Sequence, residues 1–182
     1  MNRLIALTRD LCLLRVGPQD FPFSPELFRN LLLFALLVEL LVRWWLGVRE
    51  AGLVLVAVAF LARLGLVYGL LGMAGRQARY LQCMSAMLAI GIAFTLMLAP
   101  VLAGLLPLPE PGQAPTPVQG LMVWLALGLV IWNLVVDGHI LRHTLEIRLF
   151  QGVLLALALL LVQFSLALMA AQLLGLTRLS ET

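Results

Sequence analysis

Five times between Pro25 and Leu176 the sequence runs almost wholly on apolar side chains for about twenty residues or more, the length an α-helix needs to cross the hydrocarbon core of a bilayer. Backbone polar groups cannot be left unsatisfied in lipid, so runs of this kind predict helices. The expected fold class is all-α: an integral membrane protein of five transmembrane helices, at about 25–48, 51–71, 80–106, 118–136 and 138–176, in one domain of residues 25–176. Composition excludes the soluble alternative. At 63% hydrophobic and 12% charged residues, with a mean hydropathy of +1.06, a chain of 182 residues has more apolar surface than it can hide within itself.

Local signals mark where the spans begin and end. Before the first, Ser24 is placed to cap the free amides, Pro25 suits the first helical position and Glu26 complements the helix dipole. So few residues separate the first span from the second that the two are expected to form a tight antiparallel hairpin. The third span, at about 1.5 Å per residue, is about 40 Å long. It should tilt or bend, with Pro100 as the kink. "PLPEPGQAPTP" follows it, a proline-rich stretch that cannot be regular helix and reads as an extended exposed loop.

Arginine placement sets the expected orientation. Arg3, Arg9, Arg15, Arg29, Arg76, Arg79, Arg142 and Arg148 gather on one side, and only Arg49 and Arg178 on the other, which predicts a cytoplasmic N-terminus and a periplasmic C-terminus. Every one of the 12 basic residues is arginine, a choice that fits a GC-rich bacterial genome. The pI of 9.5 follows from the same flanking arginines, and with no basic patch interleaved with aromatics it argues against nucleic acid as a partner. Residues 1–24 read as a short interfacial or cytoplasmic segment, with Phe21 and Phe23 able to dip into the membrane surface; they lack the features of a signal peptide. Cys12 and Cys83 fall on the reducing side and are poor disulfide candidates. Residues 177–182 form a polar tail.

Charges inside the spans need an account. Glu39 and Arg43, at i and i+4 in the first span, share a face and are ordered acid before base. Counted from the hairpin at about 1.5 Å per residue, Glu39 lies about 15 Å deep, Arg43 about 9 Å, and Arg63 in the second span about 20 Å. A carboxylate facing two guanidiniums across the hairpin is the expected cluster. A lone charge at the bilayer centre costs about 2.5–3.5 kcal/mol on insertion scales, so counterparts are required. Two roles remain open for Glu39, Arg43 and Arg63: a structural clamp or subunit contact, and a proton, ion or anionic-substrate site.

Two further patterns stand out. Ala62, Gly65, Gly69 and Gly72 line one stripe of the second span, where small residues allow another backbone close, with Ala86, Ala89 and Ala93 of the third span as a possible partner face. Asp137 is placed to cap the last helix, which would begin near Gly138, run about two turns below the membrane and enter it near Leu149. On that helix His139, Arg142, His143 and Glu146 form one cytoplasmic polar face. Two histidines four apart can ligate a metal, but a solvated or partner-facing helix accounts for them better, and no metal or cofactor is expected.

Signatures of catalysis are absent: no nucleophile elbow, no phosphate-cradling glycine loop, no haem-attachment motif. The five-span layout, the leader ending in "LLRVGPQDFPFSP" and the segment "WNLVVDGHILRHTLE" before the last helix resemble the Yip1-like membrane proteins. Of that family's Asp-Leu-Tyr-Gly-Pro motif only Gly17 and Pro18 stand here, so no partner binding through it is implied; nor are catalytic residues. The expected function is that of a non-catalytic accessory or assembly subunit of the bacterial inner membrane, in contact with lipid and with other proteins or further copies of itself. The alternative is a small transporter or channel component built on the Glu39, Arg43 and Arg63 site.

Overall fold

A computed structural model describes residues 2–47, 52–106, 114 and 116–173 of the chain. The hairpin after residue 47, most of the proline-rich loop and the 177–182 tail, each read above from sequence, lie outside the described residues. Among the described residues six α-helices follow one another: α1 Asn2–Cys12, α2 Pro25–Trp45, α3 Gly52–Met73, α4 Tyr80–Ala103, α5 Pro117–Leu145 and α6 Leu149–Leu173. Of these, α3, α4, α5 and α6 are long and apolar enough to cross a membrane. The chain therefore has the build of a helical membrane protein, and the large apolar side chains on its outside, such as Trp124, Leu161 and Phe164, are those that suit lipid.

Helix ends are set by side chains at their caps. Ser24 Oγ accepts the Leu27 N–H at 3.2 Å at the start of α2. Thr116 and Gln119 form a reciprocal capping box at the start of α5: Thr116 Oγ1 accepts the Gln119 amide at 3.2 Å, and Gln119 Oε1 accepts the Thr116 amide at 2.9 Å. α3 ends on Gly75, whose φ of 65° is the left-handed conformation that glycine adopts freely, and Arg76 N–H then reaches back to Leu71 O.

At the centre stands α4, in which every residue from Cys83 to Ile90 is buried. It packs chiefly on α2 and α5; α5 packs on α6, and α6 on α3. The helices thus follow one another around the bundle in the order α2, α4, α5, α6, α3. The expected close packing of α2 on α3 is not found among the described residues: the two helices touch little, and a gap lined by both lies between them.

The α5–α6 boundary also differs from the sequence expectation. Residues 138–145 belong to α5, which continues unbroken through Asp137 to Leu145. The turn comes at Glu146, held at φ 59° with its N–H and that of Ile147 both donated to Arg142 O. α5 and α6 then run back as an antiparallel pair, and they meet most closely at two glycines. A Cβ on Gly152 would overlap the Gly138 carbonyl oxygen, and one on Gly138 would lie 2.7 Å from the Val153 backbone.

Residues 2–24 form a strap across one end of the bundle. α1 turns at Leu14, itself left-handed at φ 58°, into a single 3-10 turn at Pro18–Asp20. Leu11 and Phe21 are fully buried against α4 and α5. Three side chains of those helices bind strap carbonyls: Trp132 Nε1 donates to Cys12 O at 3.1 Å, Gln82 Nε2 to Phe21 O at 2.9 Å, and His139 Nε2 pairs with Val16 O at 3.0 Å.

Candidate functional site

Among the described residues four charged side chains lie within the bundle, in two pairs. Glu39 and Arg43 pair on α2, with Arg43 Nε donating to Glu39 Oε1 at 3.1 Å and Arg43 Nη2 at 3.0 Å from the same oxygen. Thr95 Oγ1 of α4 donates to Glu39 Oε2 at 3.4 Å, a long bond that ties the pair to the central helix. Arg63 of α3 donates through Nη2 to both oxygens of Asp137 on α5.

Arg63 therefore does not complete a three-member cluster with Glu39 and Arg43. The cause is the helix order: α3 lies against α6, beside α5, so the carboxylate within reach is that of Asp137. Asp137 is correspondingly no helix cap and no part of a cytoplasmic face; it sits in the interior of α5, with a side chain only 15% exposed. Pairing answers the requirement that ionised groups buried from water find counterparts.

Around these pairs the bundle is not fully packed. One cavity of ≈ 210 Å³ is lined by Arg63, Asp137, Asn133 and Gln163 among apolar neighbours. A second, of ≈ 200 Å³, fills the gap between α2 and α3 and is lined by Glu39, Arg43, Thr95 and Gly91. Arg63, Met87 and Gln163 line both, so the cavities are adjacent. The amides at Asn133 and Gln163 carried no motif; they are recognisable only once α5 and α6 are placed around Arg63.

Among the described residues the small-residue stripe on α3 receives no close-packed helix. A Cβ on Gly65 or Gly69 would find no atom within 4 Å, and only Gly72 is approached, by the Gln77 side chain. Ala62 beside them is half-buried. Ala86 and Ala89 are buried and Ala93 is half-buried, on a helix that packs chiefly against α2 and α5, so they are no partner for the stripe. The glycines that do carry close packing are Gly138 and Gly152.

The expected cytoplasmic polar face divides in two. His139 is 4% exposed, covered by the strap. Its Nε2 carries the proton, since Val16 O can only accept, and its Nδ1 is buried with no protein partner. The His143 ring stands edge-on to it at 4.5 Å. Arg142 is half-buried. Glu146, by contrast, is exposed and joins two turns: Arg76 Nη1 and Nη2 donate to its two oxygens at 2.7 and 2.6 Å, and Arg79 Nη2 to Oε1 at 2.8 Å. These hydrogen bonds hold the Glu146 carboxyl down at about 2. Arg79 Nη1 also donates to Thr144 O at 3.2 Å, at the C-terminal end of α5 where the helix dipole favours a cation. Among the described residues no group of three metal-binding side chains comes together, and both cysteines are free thiols.

Comparison with protein-family models, with curated proteins and with solved structures returns no match for this chain.

Proposed function

We propose that this chain is a non-catalytic accessory or assembly subunit of the bacterial inner membrane. It crosses the bilayer five times, with α2 as the first span, the N-terminus and its strap in the cytoplasm and the C-terminus in the periplasm. Its partners are lipid and other proteins, membrane or cytoplasmic, or a second copy of itself; nucleic acid is not among them. The observation that carries this reading is the internal matching of the buried charges. Each carboxylate has its own guanidinium at 2.8–3.1 Å, so the ionised groups act as clamps on helix position. The resemblance to Yip1-like proteins supports the same reading, since it implies no catalytic residues.

The experiment is mild-detergent co-purification combined with reconstitution. Partners should co-purify with the wild type, and Gly65→Leu on the unpartnered face of α3 should reduce their recovery without unfolding the chain. Liposomes holding the purified protein should move neither protons nor small solutes. Flux that Glu39→Gln abolishes while the fold persists would overturn this reading and favour the second one, a small transporter or channel component. The observation behind that alternative is the pair of adjacent cavities beside the two ion pairs.

A further inference from the structure

Several polar groups along the two cavities lack a partner among the described residues. Asn133 Oδ1 is buried and nothing reaches it. Gln163, which lines both cavities, has no side-chain hydrogen bond among the described residues. Arg63 uses Nη2 alone on Asp137, so Nε and Nη1 carry N–H donors with no described acceptor. An unsatisfied polar group at membrane depth is costly, and buried polar atoms are as a rule hydrogen-bonded, to ordered water where the protein supplies no partner.

The space suits water. Volumes of ≈ 210 and ≈ 200 Å³ far exceed the roughly 10–15 Å³ that one water needs by the same measure. Cavities of this kind stay dry when their lining is wholly apolar; here guanidinium, carboxylate and amide groups stand among the apolar neighbours.

The polar groups also form a graded path. Counted along the helices at about 1.5 Å per residue, Asp137 lies about 12 Å from the strap-side end of α5 and Asn133 about 18 Å. Arg63 lies about 15 Å from the strap-side end of α3, and Gln163 and Glu39 about 21 Å from those of α6 and α2. Arg43 comes last, two residues before α2 ends at Trp45, with a side chain 35% exposed. Toward the strap the path stops, because Met84, Ile140, Leu141 and Leu11 are fully buried and apolar.

We propose that the two cavities hold water and form one hydrated polar pocket, entered from the face of the bundle where α2 ends and closed toward the face covered by the N-terminal strap. The pocket joins the Glu39–Arg43 and Arg63–Asp137 pairs through water and gives Asn133 and Gln163 their hydrogen-bond partners. It rests on the membrane-spanning reading of the bundle, and holds whether or not the chain recruits other proteins.

Cysteine labelling tests it in the full-length protein, using sealed vesicles of each orientation and a membrane-impermeant anionic thiosulfonate, with modification read at the introduced site by mass spectrometry. Gly91→Cys is the first variant, because a Cβ there meets no atom within 4 Å and Gly91 lines the second cavity. Gln163→Cys is the second, and Leu161→Cys, on the lipid-facing side of α6, is the reference. Only the thiolate reacts and a thiol ionises only in water, so both pocket cysteines should label about 100-fold faster than Leu161→Cys from the α2-end face. From the strap face they should label at the reference rate. Pocket cysteines no faster than the reference from either face, or faster from the strap face, would overturn the proposal. A reference that itself labels fast would overturn the membrane placement on which the pocket rests, whereas slow pocket cysteines beside a slow reference would overturn the pocket alone.

Discussion

Arg63 Nη2 reaches both carboxylate oxygens of Asp137, at 2.9 and 2.8 Å, and so joins residues 74 positions apart on helices that are not close neighbours in the bundle. The contact crosses a cavity instead of a packed interface and ties α3 directly to α5, two helices otherwise linked chiefly through α6.

Removing one partner should therefore cost more than removing both. Asp137→Asn leaves a guanidinium enclosed in the bundle, only 25% exposed, without its counterion and should destabilise the protein by about 3 kcal/mol. Arg63→Met together with Asp137→Asn should recover most of that loss. Thermal melting in detergent reads the difference, and a double variant as unstable as the single one would show that the pair is not the cause.

The Glu39–Arg43 pair predicts a milder effect. Both groups stand on one helix and are about a quarter to a third exposed. Glu39→Gln should cost about 0.5–1 kcal/mol, the scale of an i,i+4 pair with some burial, and leave the fold intact. A loss equal to that of Asp137→Asn in the same melting assay would contradict this ranking.

The glycines separate the two kinds of packing. Gly152→Ala drives a methyl into the Gly138 carbonyl and should cost about 1–3 kcal/mol, because the obstacle is backbone and cannot rotate away. Gly65→Ala and Gly69→Ala meet open space and should leave the melting temperature of the isolated chain unchanged. The three melts, run side by side, decide whether close approach lies at the α5–α6 crossing or on α3.

Much of the fold could be read in the residues, and its geometry could not. Apolar runs and caps such as Ser24 locate helices because they are local properties of the chain. Which helix stands beside which is decided by packing between distant segments, and the sequence order α2, α3 offered the wrong neighbour for Arg63. In sequence, Asp137 stands where an N-cap would, just ahead of the polar face that starts at His139. The helix runs through both because Gly138 is needed where α6 crosses. Asn133 and Gln163 gave no signal at all: an isolated amide in an apolar run is informative only when its surroundings are known.

Acid should loosen the link between the α3–α4 and α5–α6 turns. The Glu146 carboxyl is held at about 2, below its ordinary 4.5, by Arg76 and Arg79. A carboxylate with a depressed value adds stability that is fully present above pH 4.5 and lost as pH falls through 4.5 toward about 2. Melting temperatures measured from pH 6 to pH 2 should fall across that window, and Glu146→Gln should flatten this part of the curve. A Glu146→Gln profile that keeps the full wild-type slope would assign the effect elsewhere.

The strap should be released selectively. Gln82→Leu removes the donor to Phe21 O, and with a hydrogen bond of about 1–1.5 kcal/mol lost, the population of the open strap should rise about tenfold. Limited proteolysis within residues 13–24 should accelerate accordingly while α2–α6 stay resistant. An unchanged cleavage rate would show that Leu11 and Phe21 hold the strap unaided.

The strap also has a consequence in time. Its Val16 and Cys12 carbonyls are bound by His139 and Trp132, 123 and 120 residues later in the chain. A ribosome adding about 5–20 residues per second thus completes the first helix many seconds before its docking surface exists. Until α5 has been made, the nascent strap has no docking surface, and Leu11 and Phe21 stay uncovered.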